Sequence, residues 1–194
     1  MRYTIKELLL GLTLLLSLSA CNSGNDLPVS AASLRENLPR LEETGVLWNT
    51  DAYLTSVKIN LLSGNPYSQE VSGAFQSPTE NSESFLVRIE QDGSVTTKRI
   101  PHSDGVIHTE PIMTDDWSLD ARDALEEGLT DEGRRFLEEN TKSQCSFMYL
   151  ERDLPESPER VVWRIELGGC LLDPPFQRIV IDANTGEIVR KRTY

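Results

Sequence analysis

The spacing of apolar residues predicts a helix and then a strand at the start of the folded region. Leu34, Leu38 and Leu41 recur at intervals of four and three residues, which places them on one face of a helix. Pro39 falls inside this pattern and is expected to kink or divide the helix, because proline has no N–H to donate. Apolar and polar side chains then alternate over residues 53–61, which is typical of a strand with one buried face.

The next segment predicts a loop and a hairpin. Residues 63–82 are rich in serine, glycine, proline and asparagine, and this composition favours a loop. Apolar residues alternate again over 85–89, Asp92-Gly93 favours a tight turn, and residues 95–101 are the predicted partner strand. Residues 106–113 are a candidate for one further edge strand.

A second helical pattern begins near Trp117. The apolar residues on its face are Trp117, Ala121, Ala124, Leu125 and Leu129. Ser118 is the predicted N-cap, since its hydroxyl can accept from a free amide of the first turn. Gly128 and Thr130 predict a break into two helices, the second of which carries Phe136 and Leu137. Strands are then predicted over residues 145–152, 160–167, 176–183 and 186–193.

One helical segment followed by three or four strands therefore occurs twice. This order predicts an α+β fold, with helices packed on antiparallel sheet. The hairpin that begins Val87-Arg88-Ile89 is similar in sequence to the one that begins Ile179-Val180-Ile181, and basic residues follow both. Two tandem units of one plan would explain the similarity, but two unrelated hairpins would too, and the sequence leaves both interpretations open.

The N-terminus has the three zones of a secretory signal peptide. Arg2 and Lys6 give a positive start, residues 8–16 are almost wholly apolar, and small residues follow. The stretch of about 13 apolar or small residues is shorter than the roughly 20 that cross a bilayer, which disfavours a retained span. The run 18–21, Leu-Ser-Ala-Cys, resembles the lipobox of bacterial lipoproteins. The resemblance implies cleavage before Cys21 and acylation of its thiol, as by palmitate; ordinary cleavage that leaves a free cysteine is the alternative.

Lipid on Cys21 would anchor the rest of the chain to a membrane outside the cytoplasm. By the lipoprotein sorting pattern, Asn22 implies the periplasmic face of the outer membrane in a Gram-negative cell, and otherwise the outer face of the cytoplasmic membrane. The residues up to 30 are small and polar and favour a flexible tether. The predicted organisation is a signal peptide (1–20), the lipidated cysteine with its tether (21–30), an N-terminal α+β unit (31–113) and a C-terminal unit (114–194).

The formal net charge is −12. Removal of residues 1–20 takes away Arg2, Lys6 and Glu7, one net positive charge, so the mature chain would carry −13. So acidic a chain disfavours binding to nucleic acid or anionic lipid headgroups, both of which require basic patches. A protein partner and a membrane anchor that depends on acyl chains are the expectation.

Two cysteines remain once Cys21 is lipidated, Cys145 and Cys170. An exported compartment permits disulfides, and the predicted turn between their strands would bring them close, so we expect one structural bridge. Two idle thiols are the alternative. A catalytic thiol is disfavoured, because it needs a nearby base and no histidine follows His108.

Candidate metal sites are weak in this sequence. Residues 182–187, Asp-Ala-Asn-Thr-Gly-Glu, open like a calcium loop, but the twelfth position is Thr193 rather than glutamate, so a hairpin turn is the better interpretation. His102 and His108 are six residues apart without a third ligand, and exposed loop or edge positions fit them better than a zinc site. The sequence therefore predicts neither a metal nor a cofactor.

Catalytic and ligand-binding motifs are equally weak. Carboxylate pairs occur at 115–116, 126–127, 131–132 and 138–139, where adjacent helical residues diverge and form a solvated acidic face. No serine-nucleophile elbow, phosphate loop or dinucleotide fingerprint is present in the sequence. The three tryptophans, Trp48, Trp117 and Trp163, are expected to anchor the core rather than form a ligand platform.

Residues 161–167, Val-Val-Trp-Arg-Ile-Glu-Leu, and residues 179–189 around the Asp-Ala-Asn-Thr-Gly-Glu turn resemble a PepSY domain. The resemblance covers roughly residues 115–194 and includes the preceding helical segment. The two cysteines and the long turn with Pro174-Pro175 depart from the usual pattern. PepSY domains are similar to inhibitory propeptides of secreted peptidases and are not enzymes. The resemblance thus implies a non-catalytic binding or inhibitory lipoprotein of the cell envelope that acts on an envelope or secreted protein such as a peptidase. The alternative is a structural lipoprotein that helps assemble or maintain an envelope complex.

Overall fold

A computed structural model describes residues 29–63, 70–90, 92–102, 109–139, 146–168 and 176–194. At residues 29–30 and 62–63 it describes the backbone only. Its described part is an α+β fold in which sheet predominates. The strands are β1 (Val29–Ser30), β2 (Tyr53–Asn60), β3 (Leu62–Ser63), β4 (Val71–Gln76), β5 (Glu83–Ile89), β6 (Val95–Pro101), β7 (Phe147–Asp153), β8 (Ser157–Leu167), β9 (Gln177–Asp182) and β10 (Ile188–Thr193). The helices are α1 (Leu34–Trp48), α2 (Ala121–Gly128) and α3 (Asp131–Glu139).

Eight of the strands form one antiparallel sheet in the order β10-β9-β8-β7-β2-β4-β5-β6. Strands β2, β4, β5 and β6 form one four-stranded meander, which with α1 we call the N half. Strands β7 to β10 form a second meander, which with α2 and α3 we call the C half. The two meanders join through their first strands, with Lys58 opposite Tyr149. Strands β1 and β3 form a separate two-stranded sheet.

The two hairpins of similar sequence occupy equivalent places in this sheet. Arg88 on β5 and Val180 on β9 belong to one cross-strand row, and each lies two strands away from the central β2–β7 pair. A twofold rotation between β2 and β7 would exchange them. Both hairpins thus lie in one sheet, at the same distance from its central strand pair.

Each half packs its helices on the same side of the sheet. Leu34, Leu38, Leu41 and Gly45 are the buried positions of α1, which packs on β2, β4 and β5. Helix α2 packs on β8 and β9, and α3 packs on β8. Alternate strand residues, such as Val57, Phe75, Val87, Leu150, Trp163 and Ile181, complete the core on this side. Their burial removes apolar surface from water, which is the main favourable term in folding.

The N-termini of α1 and α2 meet and connect the two halves. Ser33 caps α1 by accepting from the Glu36 amide, and its hydroxyl donates to Asp120 Oδ2 at 2.6 Å. Asp120 caps α2 and also accepts from the Leu34 amide at 2.8 Å. Both helices thus share one pair of capping side chains, each of which satisfies amides that have no partner inside its own helix.

The predicted elements are largely confirmed, with strand ends shifted by up to three residues. The break between α2 and α3 lies where Gly128 and Thr130 predicted it. Pro39 lies inside α1, which is not divided there. The predicted tether overlaps β1 at Val29–Ser30.

Three local predictions were wrong. The predicted loop over residues 63–82 contains β4, whose Gly73 allows Leu54 and Phe75 to approach within 3.1 Å of where a Cβ would stand. Asp120 rather than Ser118 caps α2, and the Ser118 hydroxyl donates instead to the Asn184 carbonyl at 2.8 Å. The part of the candidate edge strand that the structure describes, 109–113, is not a strand, although the Ile112 amide donates to the Leu54 carbonyl at 2.8 Å.

Candidate binding surface

The side of the sheet opposite the helices carries a row of side chains that crosses all eight strands. We call this side the open face, because none of the three described helices packs on it. Directly opposed residues of an antiparallel pair point to the same side of a sheet. From β10 to β6 the row consists of Arg190, Val180, Arg164, Tyr149, Lys58, Ser72, Arg88 and Thr96. Four of the eight are cations and none is acidic, although the net charge of the chain is −12.

Tyr149 lies at the centre of this row between two cations. The guanidinium carbon of Arg164 is 3.9 Å from the centroid of its ring, and Lys58 Nζ is 5.9 Å from that centroid. Lys58 Nζ also lies 3.8 Å from the Phe147 ring centroid. Burial raises the pKa of Tyr149 and lowers the pKa of Lys58. The centre of the open face therefore combines aromatic surface with positive charge.

Two glutamates hold Arg164 in place. Arg164 Nε and Nη2 donate to the two oxygens of Glu151 at 2.7 and 2.9 Å, and Nη1 lies 2.6 Å from Glu166 Oε1. Arg178 Nη2 pairs with the same Glu166 oxygen at 2.8 Å. Burial alone would lower the pKa of Arg164, but its hydrogen bonds and ion pairs with Glu151 and Glu166 outweigh burial and raise the pKa. Arg164 is thus a permanently charged and fixed part of the surface.

Asp153 holds Arg190 in place at the β10 end of the open-face row. Its side chain is 1% exposed and forms an ion pair with Arg190, and Arg160 Nη1 lies 3.7 Å from its Oδ2. The hydrogen bond to Asp153 raises the pKa of Arg190. A buried carboxylate needs such partners, since an unpaired charge is costly to bury. Arg190 itself stays 41% exposed, so it is both positioned and accessible.

A cavity of about 480 Å³ lies on the open face of the C half. Val162 and Val180 line it as buried apolar residues, while Leu154 and Tyr194 are 44% and 50% exposed beside it. The cations that line it are Arg152, Arg164, Arg178, Arg190, Lys191 and Arg192, against the carboxylates of Glu151, Asp153 and Glu156. This volume is within the range of small-ligand pockets. The N half has a smaller cavity of about 280 Å³ beside Leu86, Arg88 and Lys98.

Acidic side chains concentrate on the opposite side of the C half. Residues 114–139 contain ten acidic and three basic side chains. The predicted carboxylate pairs at 126–127, 131–132 and 138–139 are exposed on α2 and α3, which confirms the solvated acidic face. Lys191 Nζ reaches Glu132 at 3.5 Å, and Arg152 reaches Asp116 at 2.6 Å. The exposed carboxylates of the C half thus lie mainly on its helices, whereas the carboxylates of the open face are paired with its arginines.

The remaining predicted positions divide into structural and undescribed ones. Trp117 and Trp163 are buried, and Trp48 stacks on Phe85 at 5.0 Å between centroids, so all three tryptophans contribute to the core. Residues 182–187 form the predicted turn, in which Asp182 Oδ1 accepts from the amides of Asn184 and Thr185. Within the described ranges, no three histidine, cysteine, aspartate or glutamate side chains are placed to hold a metal.

The cysteines and one histidine lie outside the described residues. Cys21 with its predicted lipid, the predicted Cys145–Cys170 bridge and His108 all belong to this group. Near the two cysteines, the described residues Gly168 and Ser146 are in contact, since the Gly168 amide donates to Ser146 Oγ at 3.2 Å. In the part of the chain that the structure describes, no helix is long and apolar enough to span a membrane.

His102 lies at the predicted edge of the sheet but is half-buried rather than exposed. Its Nδ1 is 3.0 Å from the Asn81 carbonyl oxygen, which can only accept, so Nδ1 carries the proton. Nε2 then accepts from Ser84 Oγ at 2.6 Å. A serine bonded to histidine can act as a nucleophile. Neither cavity described above includes this pair, and we assign it to the packing of the β5–β6 edge.

Comparison with protein-family models, curated proteins and solved structures finds no match for this chain.

The open face itself was not among the predicted sites, although the sequence carried a signal for it. The alternation predicted strands with one buried face, and the polar positions on the other face, Arg164 among them, were given no role. The order of the strands in the sheet brings Lys58, Arg88, Arg164 and Arg190 into one row, and that order links residues more than a hundred positions apart.

Proposed function

We propose that this protein is a non-catalytic lipoprotein of the cell envelope that binds, and in the sharper form inhibits, a secreted or envelope protein. The observation that carries the proposal is the open face of the C half, with its cavity and its row of positioned cations. The C-terminal resemblance to PepSY domains makes a peptidase the first partner to test. A protein that inhibits by covering the surface of its partner needs a rigid complementary face and no catalytic residue.

The composition of the open face supports a protein partner. Arginine and tyrosine are enriched at the centres of protein interfaces, where large side chains with restricted motion lose little entropy on binding. Arg164 is restrained by Glu151 and Glu166, and its guanidinium stacks on Tyr149. Such bracing prepares the surface before a partner arrives, which favours affinity.

The proposed address agrees with this role. The chain enters the described fold at Val29, eight residues after Cys21. Eight extended residues reach at most about 28 Å. A lipid on Cys21 would therefore hold the binding surface close to a membrane, where acyl chains rather than protein charge provide the attachment. Partners would be proteins of the envelope or proteins in transit through it.

Site-specific photocrosslinking of the full chain in its native envelope tests this proposal. A benzoylphenylalanine replaces Tyr194 at the rim of the cavity, and a matched variant carries it at Glu126, which is exposed on α2. We expect a discrete protein adduct from position 194 and none from position 126. The captured protein is then identified, purified and titrated with the chain.

The outcomes separate the two functions. Loss of hydrolytic activity of a captured peptidase on titration supports inhibition. A stoichiometric envelope complex with no loss of activity supports the alternative, a structural lipoprotein that helps assemble or maintain that complex. An adduct from position 126 alone contradicts the use of the open face.

A further inference from the structure

We infer that the cavity of the C half receives an extended, carboxylate-bearing segment of the partner protein, an inference that rests on the proposed function. The cavity combines accessible guanidinium groups with an apolar floor and an apolar rim. These features together select a polypeptide with acidic and apolar side chains.

The first argument is the supply of free donors around the cavity. Arg178 and Arg190 are 40% and 41% exposed, although each is held by a carboxylate. Arg192 is exposed and forms no ion pair with a described carboxylate, and its guanidinium carbon lies 5.9 Å from the Tyr194 ring centroid. A guanidinium has five N–H donors, so Arg178, whose one described carboxylate partner is Glu166, keeps donors unused, whereas Arg190 is shared between Asp153 and Glu156. Planar carboxylates match this donor geometry in a bidentate manner.

The second argument is the register of these arginines. Arg192 lies directly opposite Arg178, and Arg190 lies opposite Val180, two residues along the same face of the sheet. Side chains on one face of a strand recur every second residue. A segment laid along β9 and β10 in extended form would therefore bring every second side chain to the same side as these cations. Acidic residues at alternate positions would fit this spacing.

The third argument separates a protein segment from a small anion. Val162 and Val180 are almost fully buried at the cavity, while Leu154 and Tyr194 present exposed apolar surface beside it. A free inorganic anion would leave the exposed apolar surface of Leu154 and Tyr194 in water. An acidic peptide with apolar neighbours would cover it and pair its carboxylates with the arginines at the same time.

The fourth argument disfavours an anionic membrane as the occupant. Residues 114–139, with ten acidic side chains, form much of the helix layer behind the sheet, and the whole chain carries −12. An extended anionic surface is repelled by the summed charge of the protein, whereas a short acidic segment meets mainly the local cations of the cavity.

The inference is tested with a defined probe on the full chain purified in neutral detergent. The probe is a fluorescein-labelled ten-residue peptide of alternating glutamate and valine, and its matched control replaces every glutamate by glutamine. Fluorescence anisotropy reports binding. The variant Arg178→Gln/Arg192→Gln removes two cations of the cavity, and Arg122→Gln/Arg135→Gln removes two exposed cations from the helices.

We expect the acidic peptide to bind the unaltered chain and to lose about tenfold in affinity with the cavity variant, because two charge-assisted contacts disappear. The helix variant should bind as the unaltered chain does. Dihexanoyl phosphatidylglycerol and inorganic phosphate, added as competitors, should displace the peptide only at much higher concentration.

Three results of this binding assay would overturn the inference. The glutamine peptide could bind as tightly as the glutamate peptide, the two variants could lose affinity equally, or the short-chain lipid could displace the peptide more effectively than unlabelled peptide does. Circular dichroism of each variant checks that its fold is intact. A partner captured from position 194 that binds independently of Arg178 and Arg192 would remove this inference and leave the proposed function standing.

Discussion

The two halves of the sheet share one plan but carry different side chains on the open face. The C half has the larger cavity, about 480 Å³ against about 280 Å³, and its central cation is held by two glutamates. In the N half, the one carboxylate that pairs with Arg88 among the described residues is Glu70, and Arg88 is 44% exposed. The helix side of the sheet supplies the common architecture in both halves. The two halves therefore differ in the outward side chains on which the proposed binding depends.

The halves also differ in how their helices approach the sheet. Trp163 on β8 and Gly73 on β4 occupy equivalent positions on either side of the central strand pair, opposite Leu150 and Val57 respectively. Gly73 leaves room for Leu41 of α1, whereas Trp163 fills that space in the C half and donates from Nε1 to the Leu119 carbonyl at 2.9 Å. The C half thus depends on one large side chain where the N half depends on a close approach.

The largest expected effect is that of Trp163→Ala. Trp163 is fully buried and packs edge to face against Trp117, with 6.5 Å between the ring centroids. Its truncation should lower the free energy of unfolding by about 3–5 kcal/mol, because it leaves a cavity and removes a hydrogen bond. The matched change in the N half, Trp48→Ala, should cost clearly less, since Trp48 is only half-buried. Urea unfolding followed by circular dichroism measures both, and equal losses would contradict the comparison.

The second effect concerns the predicted Cys145–Cys170 bridge, which would tie together only the C half. The paired variant Cys145→Ser/Cys170→Ser should lower the free energy of unfolding by roughly 3–4 kcal/mol. Without reductant, neither thiol of the unaltered chain should react with an alkylating reagent under denaturing conditions. Labelling of both thiols, together with unchanged stability of the paired variant, would show that the cysteines are idle.

A smaller difference in stability is expected between variants of Arg164 and Arg88, two of the three arginines of the open-face row. Arg164→Met leaves Glu151 and Glu166 without their shared partner in a half-buried setting, and we expect a loss of about 1–3 kcal/mol. Arg88→Met removes a single ion pair, with Glu70, that is more exposed than the ion pairs of Arg164. It should lower the free energy of unfolding by about 0–1 kcal/mol. Urea midpoints of the two variants give the difference. Equal midpoints would mean that the bracing of Arg164 contributes nothing to stability.

The smallest effect is a dependence on pH that arises in the hairpin turns. Burial would raise the pKa of Asp182, but hydrogen bonds from the Thr185 and Asn184 amides outweigh burial and lower it. A carboxylate with a lowered pKa stabilises the fold above its unfolded pKa of about 3.9, and this contribution is lost as pH falls through the folded value. Asp182→Asn should therefore flatten the decline of the melting temperature in acid. Asp92, whose pKa is lowered by hydrogen bonds from Ser94, offers the matched Asp92→Asn change in the fully exposed turn of the N half. If the melting temperature of both variants declines in acid as steeply as that of the unaltered chain, the two turns are not the cause of the decline.

The sequence predicted the elements better than their assembly. Alternation of apolar residues was enough for the strands around Val57, Val87, Trp163 and Ile181, because burial on one face leaves a period of two. Strand β4 was missed because Gly73 occupies an inward position where the period requires an apolar side chain, and the glycine is explained by the close approach of Leu54, Phe75 and Leu41. The N-cap was misplaced because Asp120 serves two helices at once, a tertiary arrangement that local sequence does not encode.

The central claim is that the C half, and not the N half, presents the binding surface. Photocrosslinking of the full chain in its native envelope compares benzoylphenylalanine at Tyr194 with the same group at Ile100, which is 42% exposed on the open face of the N half. We predict an adduct with one identified protein from position 194 that decreases sharply when Arg178→Gln/Arg192→Gln is added, and little or none from position 100. An adduct of equal yield from both positions, or one from position 100 alone, would contradict the claim.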